Sequence, residues 1–264
     1  MAEDILEKIV APLKESLAAE KVRFPQPELE KLCDKLPENR RSFKRSITRN
    51  SGRIRVIAEL KKASPSKGVI RLDLPVSKLA CELERSGAAA LSVLTETNFF
   101  LGCRENLMTA YAATEHIPVL RKDFIVDEYQ IFQAKLWGAS AVLLIAALLP
   151  EPELKAYIGL AHGLGMDALC EAHNMQEVEK LLSCGADIVG VNARNLRDFS
   201  TSAAGAAAII EQLPAGVVKV AESAIITSGD LANAEAAGAD AALIGEVLMR
   251  YPYPGERLKE LYGD

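Results

Sequence analysis

Eight short apolar runs recur along this chain at intervals of about 27 residues, and most stop on a residue able to do chemistry. The run ends are Glu59, Thr95, Lys122, Leu144 to Ile145, Glu171, Asn192, Glu222 with Ser223, and Gly245. That interval holds one strand, one helix and two connections, since strands average about 5 to 6 residues, helices about 11 to 12 and loops about 2 to 6. Between the runs, over residues 76–84, 105–114, 127–137, 152–163, 176–183, 203–212 and 229–237, apolar residues recur at three- and four-residue spacing. The runs themselves are continuous, as in the strands of a parallel sheet. Strand and helix alternating eight times predict an α/β fold, a (β/α)8 TIM barrel with its active site at the C-terminal ends of the strands. The polar run ends therefore fall where that fold places its chemistry.

The 264-residue length suits one barrel of about 250 residues. Residues 1–264 are expected to form a single domain, residues 1–52 being an N-terminal helical extension. Its basic stretch, Arg40, Arg41, Lys44, Arg45 and Arg49, reads as a solvated face, with contact to an anionic substrate as the alternative. A net charge of −5 argues against a nucleic-acid partner. The opening MAEDILEKIV is acidic and amphipathic, unlike a signal peptide, and the longest apolar run (141–149) is too short to span a bilayer. A cytoplasmic protein without a membrane partner is expected, acting as a monomer or weak homo-oligomer. Cys33, Cys81, Cys103, Cys170 and Cys184 include no C-x-x-C pair, so reduced packing thiols are expected. His116, His162 and His173 stand apart without metal-ligand spacing, and His173 beside Glu171 reads as a polar loop residue rather than a ligand. Neither a P-loop nor a G-x-G-x-x-G turn follows any strand, which lowers the weight of ATP-driven or redox chemistry.

Two groups of candidate site residues remain. In this fold the loops after strands seven and eight, with the N-terminus of a short helix, commonly cradle phosphate through outward N–H groups. Ser223, Ala224, Gly245 and Glu246 are the candidates, Gly245 alternatively serving only to let the chain turn. The second group is charged. Glu59 and Lys61 stand two residues apart and face the same way, and Lys122, Glu171, and Asn192 with Arg194 come from the third, fifth and sixth strands. Such a set can tune a lysine as acid and a glutamate as base, because each neighbouring charge moves a pKa. Arg194 or a lysine could also hold a substrate carboxylate.

The segments IAELKKASPSKG (57–68), LSVLTETNFFLG (91–102), VLRKDFIVDEYQI (119–131), ALCEAHN (168–174), VGVNARNL (189–196), VAES (220–223) and LIGEVLM (243–249) closely resemble indole-3-glycerol phosphate synthases. The resemblance runs in order through nearly the whole barrel and includes the extension. It implies ring closure of 1-(2-carboxyphenylamino)-1-deoxyribulose 5-phosphate to indole-3-glycerol phosphate, with loss of carbon dioxide and water, in tryptophan biosynthesis. A phosphorylated small molecule is then the substrate, and neither metal nor organic cofactor is implied. By similarity Lys122 is the general acid at the ketone oxygen, and Glu171 takes part in the proton transfers of dehydration. Glu59 assists them, Lys61 holds carboxylate or phosphate, and Asn192 and Arg194 orient the substrate. Ser64 in the SPSKG loop helps close the site, and Glu222 joins the substrate-binding set. Phe100, Phe124, Leu94 and Leu144 are expected to form the slot for the anthranilate ring.

The sequence departs from the family pattern at Ala224, where glycine is usual, and at Leu101 and Cys103 around Gly102. A left-handed backbone at Ala224 would cost about 1 to 2 kcal/mol, and its methyl would crowd the anion. Two other readings stay open: another phosphate-binding barrel, such as an Amadori isomerase, and a catalytically silent barrel serving as a binding subunit. The first typically uses a carboxylate pair or an aspartate–cysteine pair instead of this lysine and glutamate set.

Overall fold

The computed structural model describes residues 5–37, 41–50, 52–194 and 200–264. Eight parallel strands close into a barrel: Arg55–Leu60, Ala90–Leu94, Val119–Lys122, Ala141–Ile145, Asp167–Ala172, Ile188–Asn192, Val218–Glu222 and Ala241–Ile244. Each strand pairs with its neighbour in sequence, and the first closes on the eighth through Arg55↔Ala241 to Ala58↔Ile244. Outside them lie α4 (Val76–Arg85), α5 (Arg104–Ala113), α6 (Glu128–Leu136), α7 (Glu151–Gly163), α8 (Met175–Ser183), α9 (Ala203–Gln212) and α10 (Ser228–Ala236). These bounds agree with the periodicity to within one residue. Local chemistry sets them: the Asp127 and Asn174 side chains accept N–H bonds at the starts of α6 and α8, and Thr227 with Asp230 forms a capping box on α10.

Each strand sends alternate side chains inward and outward. Ile57, Leu120, Leu143, Leu169, Ile188, Val220 and Leu243 fill the lumen. Their neighbours Val56, Ala58, Leu91, Val93, Val142, Leu144, Val189 and Val191 pack instead against the helices, through residues such as Leu79, Leu83 and Leu107. Both faces are therefore apolar, which is why the runs show no alternation in sequence.

The extension reaches both ends of this lumen. Phe43 and Ile47, on the short α3 (Phe43–Ile47), are fully buried in the lumen cluster. The contacts of α3 place it at the strand starts, since the Lys44 N–H donates to Asp167 at the head of the fifth strand. At the opposite end, Ile5, Leu6 and Ile9 of α1 (Ile5–Arg23) join the wall of the mouth cavity. The basic stretch is not the solvated face the sequence suggests. Arg41 lies 4.5 Å from the Tyr111 ring centre and donates to Thr114, Lys44 pairs with Asp187 at 2.7 Å, and Arg49 pairs with Glu235 at 2.8 Å. Lys44 and Arg49 thereby clamp the extension to the barrel floor, because Asp187 immediately precedes the sixth strand and the Arg49 N–H meets Asp240 before the eighth. Substrate contact at the mouth is thus ruled out for these two; Arg45 is exposed, and Arg40 lies outside the described residues.

Candidate active site

The C-terminal mouth of the barrel opens into a cavity of about 870 Å³. Strand register assembles its floor, since inward positions on adjacent strands stand side by side: Leu94↔Lys122, Ile145↔Glu171 and Asn192↔Glu222. Glu59, Leu94, Lys122, Ile145, Glu171, Asn192 and Glu222 are therefore the last inward residues of the first seven strands, and Gly245 stands immediately after the eighth. Leu94, expected in the aromatic slot, holds the inward place on the second strand, while the run-end Thr95 turns outward and gives its hydroxyl hydrogen to Asp123 at 2.5 Å. Leu144, expected in the aromatic slot, is buried against the helix shell and does not line the cavity; Leu143 and Ile145 do. The run AVLLI is apolar on both faces, so its inward members cannot be read from composition.

Lys122 is the hub. Its Nζ donates to Glu171 Oε2 at 3.0 Å and lies 3.6 Å from Glu222 Oε2. Glu171 Oε1 accepts from Asn192 Nδ2 at 3.0 Å, and the Asn192 side-chain oxygen accepts the Arg194 N–H at 3.0 Å. Glu59 forms a close ion pair with Lys61. Small residues make room for these carboxylates: a Cβ on Gly190 would lie 2.1 Å from Glu222 Oε1.

Around the Lys122 ammonium, the buried Glu171 and Glu222 carboxyl groups divide the protons unequally. Burial opposes the charge on Lys122, but Glu171, Glu222 and Glu59 outweigh it and hold the ammonium above the ordinary lysine range. The lysine is thus not depressed toward neutrality, as a base-tuned acid would be. Burial also opposes ionised Glu171, yet Lys122, His173 and the Asn192 hydrogen bond hold its carboxyl down at about 2. Glu222 goes the other way. Burial, helped by Glu171 and Glu59 against the pull of Lys122, pushes it up to about 8. At neutral pH the cluster therefore holds one ionised carboxylate, one protonated carboxyl and one ammonium within about 4 Å.

Lys67, Arg194, Arg250 and Arg257 also line the cavity, as do Ser223, Ala224, Gly245 and Glu246, and Arg250 pairs with Glu246 at 3.0 Å. Ser223 and Ala224 both have left-handed backbones, at φ 66° and 56°, as does Leu101 at φ 53°. Gly245 is more than a turn, because Glu59 occupies the space a side chain there would need. Ser64 lines the cavity from a short hairpin, Ala63–Ser64 paired with Gly68–Val69, that follows the first strand. Phe100 and Phe124 face each other with ring centres 6.1 Å apart. The cavity wall also includes Ile5, Leu6, Ile9, Ser66 and Arg250, which the sequence reading did not select. The spacing Leu6, Ile9, Leu13, Leu17 marks an apolar face on α1, although nothing local says that it meets the active site. Asn195 and Leu196, at the end of the VGVNARNL segment, lie outside the described residues. Among the described residues, no group of three or more His, Cys, Asp or Glu could hold a metal ion, and no helix is long and apolar enough to cross a membrane.

A family model described as indole-3-glycerol phosphate synthase matches residues 6–261. The chain belongs to the indole-3-glycerol phosphate synthase family. Relatives bearing that name include one from Carboxydothermus hydrogenoformans, 46% identical and covering 97% of this chain and 98% of the relative. Another, from Endomicrobium trichonymphae, is 44% identical over 97% of this chain and 99% of its own. Solved structures share the barrel at much lower identity. A mutant tryptophan synthase alpha-subunit from Pyrococcus furiosus is 12% identical with a TM-score of 0.60, covering 80% of this chain and 98% of that one. A thiamine phosphate pyrophosphorylase from the same organism is 15% identical with a TM-score of 0.60, covering 79% and 94%. These two likenesses concern the fold alone. Membership of the indole-3-glycerol phosphate synthase family makes this a decarboxylating lyase of tryptophan biosynthesis.

Proposed function

We propose that this chain closes the indole ring of indole-3-glycerol phosphate from 1-(2-carboxyphenylamino)-1-deoxyribulose 5-phosphate, releasing carbon dioxide and water. The observation that carries the reading is Lys122, fixed between Glu171 and Glu222 at the floor of a cavity that Lys67, Arg194, Arg250 and Arg257 also line. As the ring carbon attacks the ketone, negative charge develops on its oxygen, and the Lys122 ammonium donates a proton there. An alkoxide is far more basic than any lysine, so the raised pKa of Lys122 does not prevent transfer. Loss of carbon dioxide restores the aromatic ring. The hydroxyl then takes a proton from the Glu222 carboxyl and departs as water, while ionised Glu171 accepts the proton that the skeleton releases. One proton from solvent resets the cluster, matching the one consumed as the carboxylate leaves as carbon dioxide. Glu222, protonated at neutral pH, offers a hydrogen-bond donor to a substrate oxygen, and Asn192 holds the Glu171 carboxylate in place.

In the same reading, Glu59 keeps Lys61 directed at the substrate carboxylate or phosphate, and Arg194 orients the substrate. The phosphate sits against Ser223, Ala224, Gly245 and Glu246. The anthranilate ring lies among Leu94, Phe100 and Phe124, with Leu143 and Ile145 in place of Leu144. Ser64 closes the cavity from the hairpin. The enzyme works in the cytoplasm without a nucleic-acid partner.

The test is fluorescence of the indole product formed from the carboxyphenylamino substrate. Lys122→Ala should keep the far-UV dichroism of the parent and lose most turnover; near-normal turnover would overturn the assignment.

A further inference from the structure

His173 follows Glu171 by two residues just beyond the fifth strand, and its ring lies between two carboxylates, hydrogen-bonded to one of them. Glu177 Oε2, in the first turn of α8, accepts the His173 backbone N–H at 2.8 Å and lies 3.2 Å from Nδ1. That carboxylate is itself fixed, because Asn174 donates its amide to Glu177 Oε1 at 2.9 Å while accepting the Glu177 N–H at 2.9 Å. The other ring nitrogen, Nε2, is buried and makes no hydrogen bond among the described residues. It faces Glu171 Oε1 at 3.4 Å. The ring does not line the substrate cavity.

A carboxylate accepts and never donates when ionised, so Nδ1 carries its hydrogen toward Glu177. A neutral ring would then aim the Nε2 lone pair at an oxygen of ionised Glu171, which is repulsive. An imidazolium removes that repulsion, placing a positive charge 3.4 Å from Glu171 while Nδ1 donates to Glu177. The surrounding charges favour it. Burial opposes the charge, but the Glu177 hydrogen bond and the charges on Glu171 and Glu177 outweigh it and raise the His173 pKa. Lys122, on the far side of Glu171, is the competing cation.

We infer that His173 is a positioning residue for this reaction: clamped by Glu177, its imidazolium holds Glu171 ionised and ready to accept a proton. The inference rests on the synthase reading for its catalytic meaning, while the His173–Glu171 coupling can be measured without turnover.

The experiment has two arms on the full-length chain. In the first, kcat and KM are followed against pH for the parent, His173→Gln and Glu177→Gln, with the carboxyphenylamino substrate. Losing a cation beside Glu171 should move the acidic limb of kcat up by about one pH unit in His173→Gln, with KM unchanged. Glu177→Gln keeps the ring but loosens it, so its limb should move the same way by less, and it decides the matter if His173→Gln does not fold. In the second arm, NMR follows the His173 ring in the parent and in Glu171→Gln, where its pKa should fall. Acidic limbs that coincide with the parent's, or a His173 pKa that ignores Glu171→Gln, would overturn the inference. A parent that turns over no substrate would sink the synthase reading instead, leaving the second arm to judge the pairing.

Discussion

Glu59 Oε2 occupies the place a side chain on Gly245 would need: a Cβ there would lie 2.3 Å from that oxygen and 3.0 Å from the Glu59 Cβ. The first and eighth strands are hydrogen-bonded neighbours, Ala58 standing opposite Ile244, so their next inward positions share one space. One must be glycine if the other is a glutamate turned into the mouth. Gly245→Ala should therefore displace Glu59 and its partner Lys61, and a misplacement of about 1 Å at a catalytic group costs about 100-fold in rate. A folded Gly245→Ala variant with the parent's kcat/KM would contradict this.

Ala224 holds a left-handed backbone at φ 56° in the cavity wall. Glycine adopts that conformation without the clash of a Cβ, which costs other residues about 1 to 2 kcal/mol. Ala224→Gly should lower KM for the phosphorylated substrate and leave kcat nearly unchanged. An unaltered KM in steady-state assays would show that the methyl does not crowd the phosphate.

Glu222 sets a pH dependence of stability whose sign is opposite to that of a salt-bridged carboxylate. Its pKa rises from 4.5 to about 8 on folding, so between those values the folded chain keeps a proton that the unfolded chain has lost. Stability from this group is fully present below pH 4.5 and declines as pH rises through about 8. Glu222→Gln removes the titration. The melting temperature of the variant minus that of the parent should climb from pH 5 to about pH 8 and level off above it, and a flat difference would refute the assignment.

The fourth strand offers a test of facing. Leu143→Ala opens the cavity and should raise KM, whereas Leu144→Ala leaves a void under the helices. Deleting a buried leucine side chain of this kind costs about 2 to 5 kcal/mol. Chemical denaturation should show that loss for Leu144→Ala with KM unchanged. A KM increase confined to Leu144→Ala would reverse the assigned faces.

The barrel was legible because its signal is local and repeated. Each run ends where a strand leaves the core, and each intervening helix carries its own apolar period and, at Asp127, Asn174 and Thr227, its own cap. Glu59, Lys122, Glu171, Asn192 and Glu222 could be picked out because a polar group terminating a buried run is conspicuous against it. Leu144 was misplaced for the complementary reason. In a parallel barrel both faces of a strand are apolar, so the inward register is fixed by pairing with neighbouring strands that are distant in the chain.

The sequence by itself thus determined the order of strands and helices and the chemical identity of the strand ends, since both follow from short-range pattern. Only the tertiary structure decided how those ends share protons. Lys122, Glu171, Glu222 and His173 come from three strands and a loop, and each pKa is set by burial and by charges within a few ångströms. Distances across the lumen, such as the 3.0 Å and 3.6 Å from Lys122 to its two carboxylates, exist only once the barrel has closed. The same holds for the extension, whose Ile5, Leu6 and Ile9 form an ordinary apolar helix face until the fold carries them to the mouth.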